Sequence, residues 1–168
     1  MKRLETERLI LRVPRLEDFD ELYAIHANPE TNRFNPGWKK PSKEEFIDTL
    51  NAMIDHHNKY GFGYYSLVDK ADNSVFGLCG LRFTLINDKK YLNLYYRIDP
   101  SKTRKGFVKE AARQIMDRVT TELNNNYKVV ALTLDENIPS RKTAESLGLK
   151  HNKAFDNVGG AGNVYYFN

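Results

Sequence analysis

Three cations, Lys102, Arg104 and Lys105, run into Gly106, and the segment after them carries apolar residues at helical spacing: Val108, Ala111, Ala112, Ile115, Met116, Val119 and Leu123. The segment before them, Tyr91 to Ile98, reads as a strand, and Pro100 ends it because proline donates no ladder hydrogen bond. A helix start leaves backbone N–H groups without intrahelical partners and carries a partial positive charge. Gly106 allows a ligand close to the backbone. Lys102, Thr103, Arg104, Lys105, Gly106, Phe107 and Val108 therefore form a candidate cradle for a phosphate or pyrophosphate, against the plainer reading of a solvated basic turn. Because Gly106 already supplies the flexible position, Arg104 is expected to keep helical or extended dihedrals and to swing its guanidinium over the anion.

The second informative block is Asp135 to Leu149. Asn137 is a good helix N-cap, Pro139 is tolerated in a first turn, and Gly148 is a stop signal. Elsewhere the chemistry-bearing residues read as structural. His26 and His57 lie on apolar helix faces. His56 and His57 are neighbours and point about 100° apart on a helix, a poor metal pair. Cys79 sits in an apolar run and reads as a buried thiol. Glu110 reads as a helix-face residue.

The elements that position these groups follow in order. Arg8 to Val13 is a strand stopped by Pro14, and Leu16, Phe19, Leu22, Tyr23 and His26 mark a helix. After an irregular stretch from Glu30 to Pro41, Ser42 and Glu45 form a capping box for a helix that buries Phe46, Ile47, Leu50, Met53, Ile54 and His57 and ends near Gly61. Strands over 62–68, 75–86 and 91–98 are joined by short turns and make an antiparallel meander. Gly77 and Gly80 suggest a bulge or a close backbone contact. The helix from Val108 crosses to a strand over 129–134, which needs a parallel neighbour. At the end, Lys153–Phe155 and Val164–Phe167 flank a glycine-rich turn and are predicted to pair as a hairpin. The predicted class is α+β, with a mixed, mostly antiparallel central sheet and helices on both faces.

The totals narrow the function. At 168 residues, one domain over 1–168 is expected. With 40% hydrophobic and 29% charged residues the chain is globular. No apolar run is long enough to span a membrane, Met1 to Glu7 lacks the apolar core of a signal peptide, and a lone cysteine suits the reducing cytoplasm. A net charge of +4, spread along the chain, argues against a nucleic-acid binder.

Thr103 to Ala111 resembles the acyl-CoA pyrophosphate loop of the GNAT superfamily of N-acetyltransferases, whose pattern is Gln/Arg-x-x-Gly-x-Gly/Ala after a strand and opening a helix. Gly106 matches its first glycine, and Glu110-Ala111 match the ribosomal-protein N-terminal acetyltransferase branch, as does Thr6 to Arg12. Thr103, Arg104 and Val108 depart from the pattern. Asn137, Ser140, Leu147 and Gly148 match the family's second motif, and the element order matches its core. The resemblance implies a GNAT fold and acetyl transfer from acetyl-CoA to an amine, on a protein N-terminus or a small molecule, by a monomer or homodimer. A non-catalytic acyl-CoA-binding module is the alternative that the departures raise. It further implies that CoA lies where the strand ending at Ile98 splays from the strand at Leu132 to Leu134. Ile98 would donate its N–H to the thioester carbonyl, residues 102–108 would hold the pyrophosphate, and Asn137 the pantetheine amide. Ser140 is the candidate acid for the leaving thiolate, with Tyr165 or Tyr166 as rival because a phenol pKa near 10 suits the task. The acceptor is expected beside Asn32 to Trp38 and the first two helices. No base is evident.

Overall fold

The computed structural model describes residues 3–168; Met1 and Lys2, the start of the N-terminal stretch considered above, lie outside them. Eight strands form one sheet in the order β1-β2-β3-β4-β5-β6-β8-β7. They are β1 (Leu4–Glu5), β2 (Leu9–Arg12), β3 (Tyr64–Asp69), β4 (Val75–Ile86), β5 (Lys89–Ile98), β6 (Val129–Leu134), β7 (Lys150–His151) and β8 (Asn163–Phe167). Every neighbouring pair is antiparallel except β5 and β6, which the crossover helix forces to run parallel. The helices are α1 (Phe19–His26), α2 (Lys43–Tyr60), α3 (Phe107–Glu122) and α4 (Ile138–Ser146).

Local chemistry sets the helix ends. The Ser42 hydroxyl accepts the Glu45 N–H at 3.1 Å, the Glu45 carboxylate accepts the Ser42 N–H at 3.0 Å, and Gly61 closes α2 at φ 79°. Ala111, Ala112, Ile115 and Val119 of α3 pack on Leu9, Leu11, Leu67, Leu81 and Leu92 on one face of the sheet, with Ala144 of α4 beside them. Leu22 of α1 and Phe46, Leu50 and Met53 of α2 pack on Leu78 on the opposite face. Full burial of each such side chain contributes roughly 1.5–3 kcal/mol. Ile47, expected inside, is exposed, because the buried stripe of α2 runs through Phe46, Leu50, Met53 and His57 and leaves it at the edge.

Gly77 and Gly80 mark close backbone approach. The register between β3 and β4 shifts at Leu67/Val68, and a Cβ on Gly80 would lie 2.1 Å from the Gly63 carbonyl oxygen. One expected strand is absent. Lys153–Phe155 forms a 3-10 turn, because the Asn152 side chain accepts the Ala154 N–H at 3.1 Å and curls the chain. β8 pairs instead with β7 on one side and β6 on the other.

Candidate functional site

The two parallel strands pair at only two positions, Leu92 with Val129 and Asn93 with Val130. Beyond them β5 runs on to Ile98 and β6 to Leu134 with no further pairing between them, so a gap opens between the two. The direction of the β5 amides follows from alternation. Leu92 donates its N–H to the Lys128 carbonyl at 2.9 Å, on the β6 side, and Asp99 donates to Phe76 at 2.8 Å, on the β4 side. The N–H groups of Tyr96 and Ile98 therefore point toward β6, into the gap. Ile98, expected to donate to a thioester carbonyl, thus has its N–H directed into the gap.

The basic turn closes one end of the gap. α3 begins at Phe107, one residue earlier than the periodicity suggested. Among the described residues no acceptor meets the N–H groups of Arg104, Lys105, Gly106, Phe107, Val108 or Lys109, whereas Glu110 donates to the Gly106 carbonyl. This is an unfilled row of donors at a helix N-terminus. Its backbone corrects one expectation: Arg104 has φ 62° and Gly106 φ 78°, so both are left-handed. The loop needs two such positions, and Arg104 carries the strain that a glycine there avoids. Lys102 also departs from its expected place. Its ammonium lies 2.9 Å from Asp69 and 3.4 Å from Asp72, and its N–H donates to Asp99, so two carboxylates already compensate the charge that an anion would use. Asp69 is held below the usual carboxylate range first by that hydrogen bond. Thr103 donates its hydroxyl to the Pro100 carbonyl at 2.8 Å. Arg104 and Lys105 stay exposed and enter no ion pair among the described residues. The Phe107 ring is buried against Phe76, which leaves its amide as its contribution to the cradle.

Arg8 braces the turn from below. It donates to the Lys105 carbonyl at 2.9 Å, pairs with Glu110 at 2.8 Å and lies over the Phe107 ring at 4.3 Å. Glu110 also accepts from the Thr6 hydroxyl and the Arg8 N–H. Glu110 is thus a tether between the N-terminal segment and α3.

Asn137 caps α4, accepting the Ser140 N–H at 3.2 Å through Oδ1, and its amide nitrogen has no partner among the described residues. The Ser140 hydroxyl lies 2.6 Å from the Tyr96 hydroxyl. Burial raises the Tyr96 phenol above its usual pKa, against hydrogen bonds to Ser140 and Thr143 that lower it. Tyr165, the rival acid, is corrected by its position. Its side chain lies on the sheet face with Ile86, Tyr91 and Phe167, not with Ala144 of α4, and its hydroxyl donates to the Val158 carbonyl at 2.7 Å. Tyr166 is fully buried and its hydroxyl accepts from Arg141 at 2.8 Å. Tyr96 is the residue that sequence reasoning missed. Its only signal was membership of an alternating strand.

The opposite face of the gap belongs to α1, α2 and the irregular stretch. Asn32 is buried, its side-chain amide donating to the His26 and Asn28 carbonyls at 2.9 Å each, and its oxygen accepts from Arg97. His26 donates Nδ1–H to the Leu22 carbonyl at 2.7 Å, so Nε2 accepts the Tyr95 hydroxyl at 3.0 Å. Burial first, then the charge of Arg97, pulls its pKa down to about 4. With both nitrogens engaged, His26 is structural. His56 and His57 are buried and bound to the Phe62 and Tyr64 carbonyls at 2.7 and 2.8 Å. Cys79 is fully buried, and burial pushes its thiol up to about 12.

A family model described as an acetyltransferase (GNAT) domain matches residues 8–150. The uncharacterised N-acetyltransferase p20 of Bacillus licheniformis is 29% identical over 151 residues, 89% of this chain and 83% of its own length. Among solved structures, an acetyltransferase from Agrobacterium tumefaciens str. C58 superposes with a TM-score of 0.83 at 20% identity, covering 100% of this chain and 94% of its own. RimL, a ribosomal L7/L12 alpha-N-protein acetyltransferase solved with coenzyme A, gives a TM-score of 0.78 at 17% identity, covering 99% of this chain and 97% of its own.

Proposed function

The chain belongs to the GNAT acetyltransferase family and is an acetyl-CoA-dependent N-acetyltransferase; we propose that it moves the acetyl group directly to a primary amine, on a protein N-terminus or a small molecule, in the gap between β5 and β6. The observation that carries this reading is the convergence of three donors on that gap: the Ile98 N–H, the amide row of residues 104–109, and the Ser140 hydroxyl. An extended molecule with a pyrophosphate at one end and a carbonyl at the other fits those donors. The thioester of acetyl-CoA supplies an acetyl group already activated for transfer.

The chain's own residues then have three tasks. The amides from Arg104 to Lys109, with the exposed Arg104 and Lys105 side chains, hold the pyrophosphate, and the free amide nitrogen of Asn137 faces the pantetheine arm. The Ile98 N–H polarises the carbonyl. Ser140 donates a proton or hydrogen bond to the departing sulfur. His26 is no ready base, since burial keeps it neutral and both of its nitrogens are occupied. An α-amine, with a pKa near 8 against about 10.4 for lysine, needs least help in losing its proton. We read residues 1–168 as one acetyltransferase domain, supported by the single sheet that runs from β1 to β8, working as a monomer or homodimer. No helix among the described residues is long and apolar enough to cross a membrane, and the unpaired Cys79 suits the reducing cytoplasm.

The test is CoA release, followed with a thiol reagent, from acetyl-CoA and a panel of peptides, polyamines and amino sugars. Turnover with an amine is expected. Tight acetyl-CoA binding with no release for any acceptor would favour the non-catalytic module instead.

A further inference from the structure

Four of the six half-buried arginines among the described residues are neutralised. Arg8 pairs with Glu110, Arg12 with Asp18, Arg118 with Glu122 and Arg141 with Asp135. Arg82 and Arg97 are the two exceptions: each is half-buried, and neither enters an ion pair among the described residues. Both sit on the α1/α2 face of β4 and β5, and Arg97 lies between Tyr96 and Ile98, whose amides open into the gap.

They are held in a stack built by one glycine. Tyr64, Gly80 and Tyr95 are direct cross-strand neighbours on β3, β4 and β5. Gly80 has no side chain to separate the two tyrosines, and their rings stack at 4.6 Å and 20° across it. Arg82 lies 5.4 Å from the Tyr64 ring and Arg97 5.8 Å from the Tyr95 ring, so a guanidinium flanks each end. The Tyr95 hydroxyl is tied to His26 and the Arg97 guanidinium to Asn32, itself clamped by the end of α1. The phenols are neutral, since burial raises both and pushes Tyr95 up to about 12. Arg97 spends one of its five N–H donors on Asn32. The rest of the fork has no anionic partner among the described residues.

We propose that Arg97, assisted by Arg82, binds an anionic group on the acceptor, so that the substrate is an amine carrying a carboxylate or phosphate beside its amino group. A rigid fork that reads such groups in two parallel hydrogen bonds is what arginine offers over lysine. Desolvating two guanidiniums without a carboxylate is costly in a structural site and useful in a binding site. This inference rests on the gap being the acetyl-transfer site.

The experiment measures binding separately from turnover. Saturation-transfer NMR titrations of the CoA-saturated protein compare β-alanine with β-alaninamide and phosphoethanolamine with ethanolamine. The anionic member of at least one pair should bind ten-fold or more tightly, and which pair shows it separates carboxylate from phosphate. Arg97→Gln should reduce that preference to three-fold or less, and Arg82→Gln should reduce it by a smaller factor. Equal affinities within both pairs in the wild-type protein would overturn the inference, with no variant required. So would a preference that survives Arg97→Gln. CoA release from the same amines reports on acetyl transfer alone: anion-dependent binding without turnover supports the anion site and counts against its lying at the point of acetyl transfer.

Discussion

The Tyr96 hydroxyl lies 2.6 Å from Ser140 Oγ and joins β5 to α4 across the gap. A serine hydroxyl alone is a weak acid. When the Tyr96 O–H donates to Ser140 Oγ, the serine's own hydrogen is turned outward, to where a leaving sulfur needs it. Burial keeps Tyr96 a phenol. In the proposed mechanism Tyr96 is thus a positioning residue and Ser140 the group that meets the sulfur.

Ser140→Ala should lower kcat about 100-fold, and Tyr96→Phe about ten-fold, with KM for acetyl-CoA changed less than about three-fold in each. The double variant should be no slower than Ser140→Ala, because both changes remove one unit. Steady-state kinetics on the four proteins checks this. Additive losses would show that the hydroxyls act independently.

Arg104 holds a left-handed conformation, φ 62°, that costs a non-glycine residue roughly 1–2 kcal/mol. Arg104→Gly should relieve it and, after the greater freedom of glycine in the unfolded chain, raise stability by about 0.5–1 kcal/mol, or roughly 1–4 °C in Tm. Arg104→Ala keeps the strain and should leave Tm unchanged. Both should weaken acetyl-CoA binding, more at low salt than at high salt. Thermal unfolding and titration at two salt concentrations separate backbone from charge.

Lys102→Ala should cost stability, by no more than about 1 kcal/mol, by freeing Asp69 and Asp72. The dissociation constant for acetyl-CoA should stay within about two-fold of wild type. A ten-fold loss of binding would return Lys102 to the pyrophosphate site.

His26 titrates near 6.5 when unfolded and is pulled down to about 4 in the fold. The folded state therefore resists protonation while the unfolded state accepts it. The stability tied to neutral His26 is fully present above pH 6.5 and is lost as pH falls toward 4. By linkage the loss reaches up to roughly 3 kcal/mol. His56 and His57, also lowered by burial, act in the same direction. Urea unfolding between pH 4 and 7.5 should show the slope, and His26→Gln should flatten part of it.

The features legible in the chain are those whose bonds close within a few residues. The Ser42–Glu45 box, the Asn137 cap, Gly106 at the head of α3 and the Pro100 stop each satisfy a backbone group three or four positions away, so residue type and spacing suffice. Strand alternation and the need of a crossover helix for a parallel neighbour carried the antiparallel meander and the one parallel pair, whereas the gap was implied by the family resemblance. The features hidden from it depend on partners far along the chain. Lys102 is claimed by Asp69, 33 positions earlier, and a basic turn looks the same whether or not a distant carboxylate takes one of its cations. Alternation places Tyr95 and Tyr96 on opposite faces, yet which of them meets α4 depends on how the crossover packs, and so does the choice between Tyr96 and Tyr165 as neighbour of Ser140. Arg104 adopts positive φ in a turn whose Lys105 carbonyl is bonded by Arg8, from the bend between β1 and β2, a distant contact on the loop path that no local preference of arginine expresses.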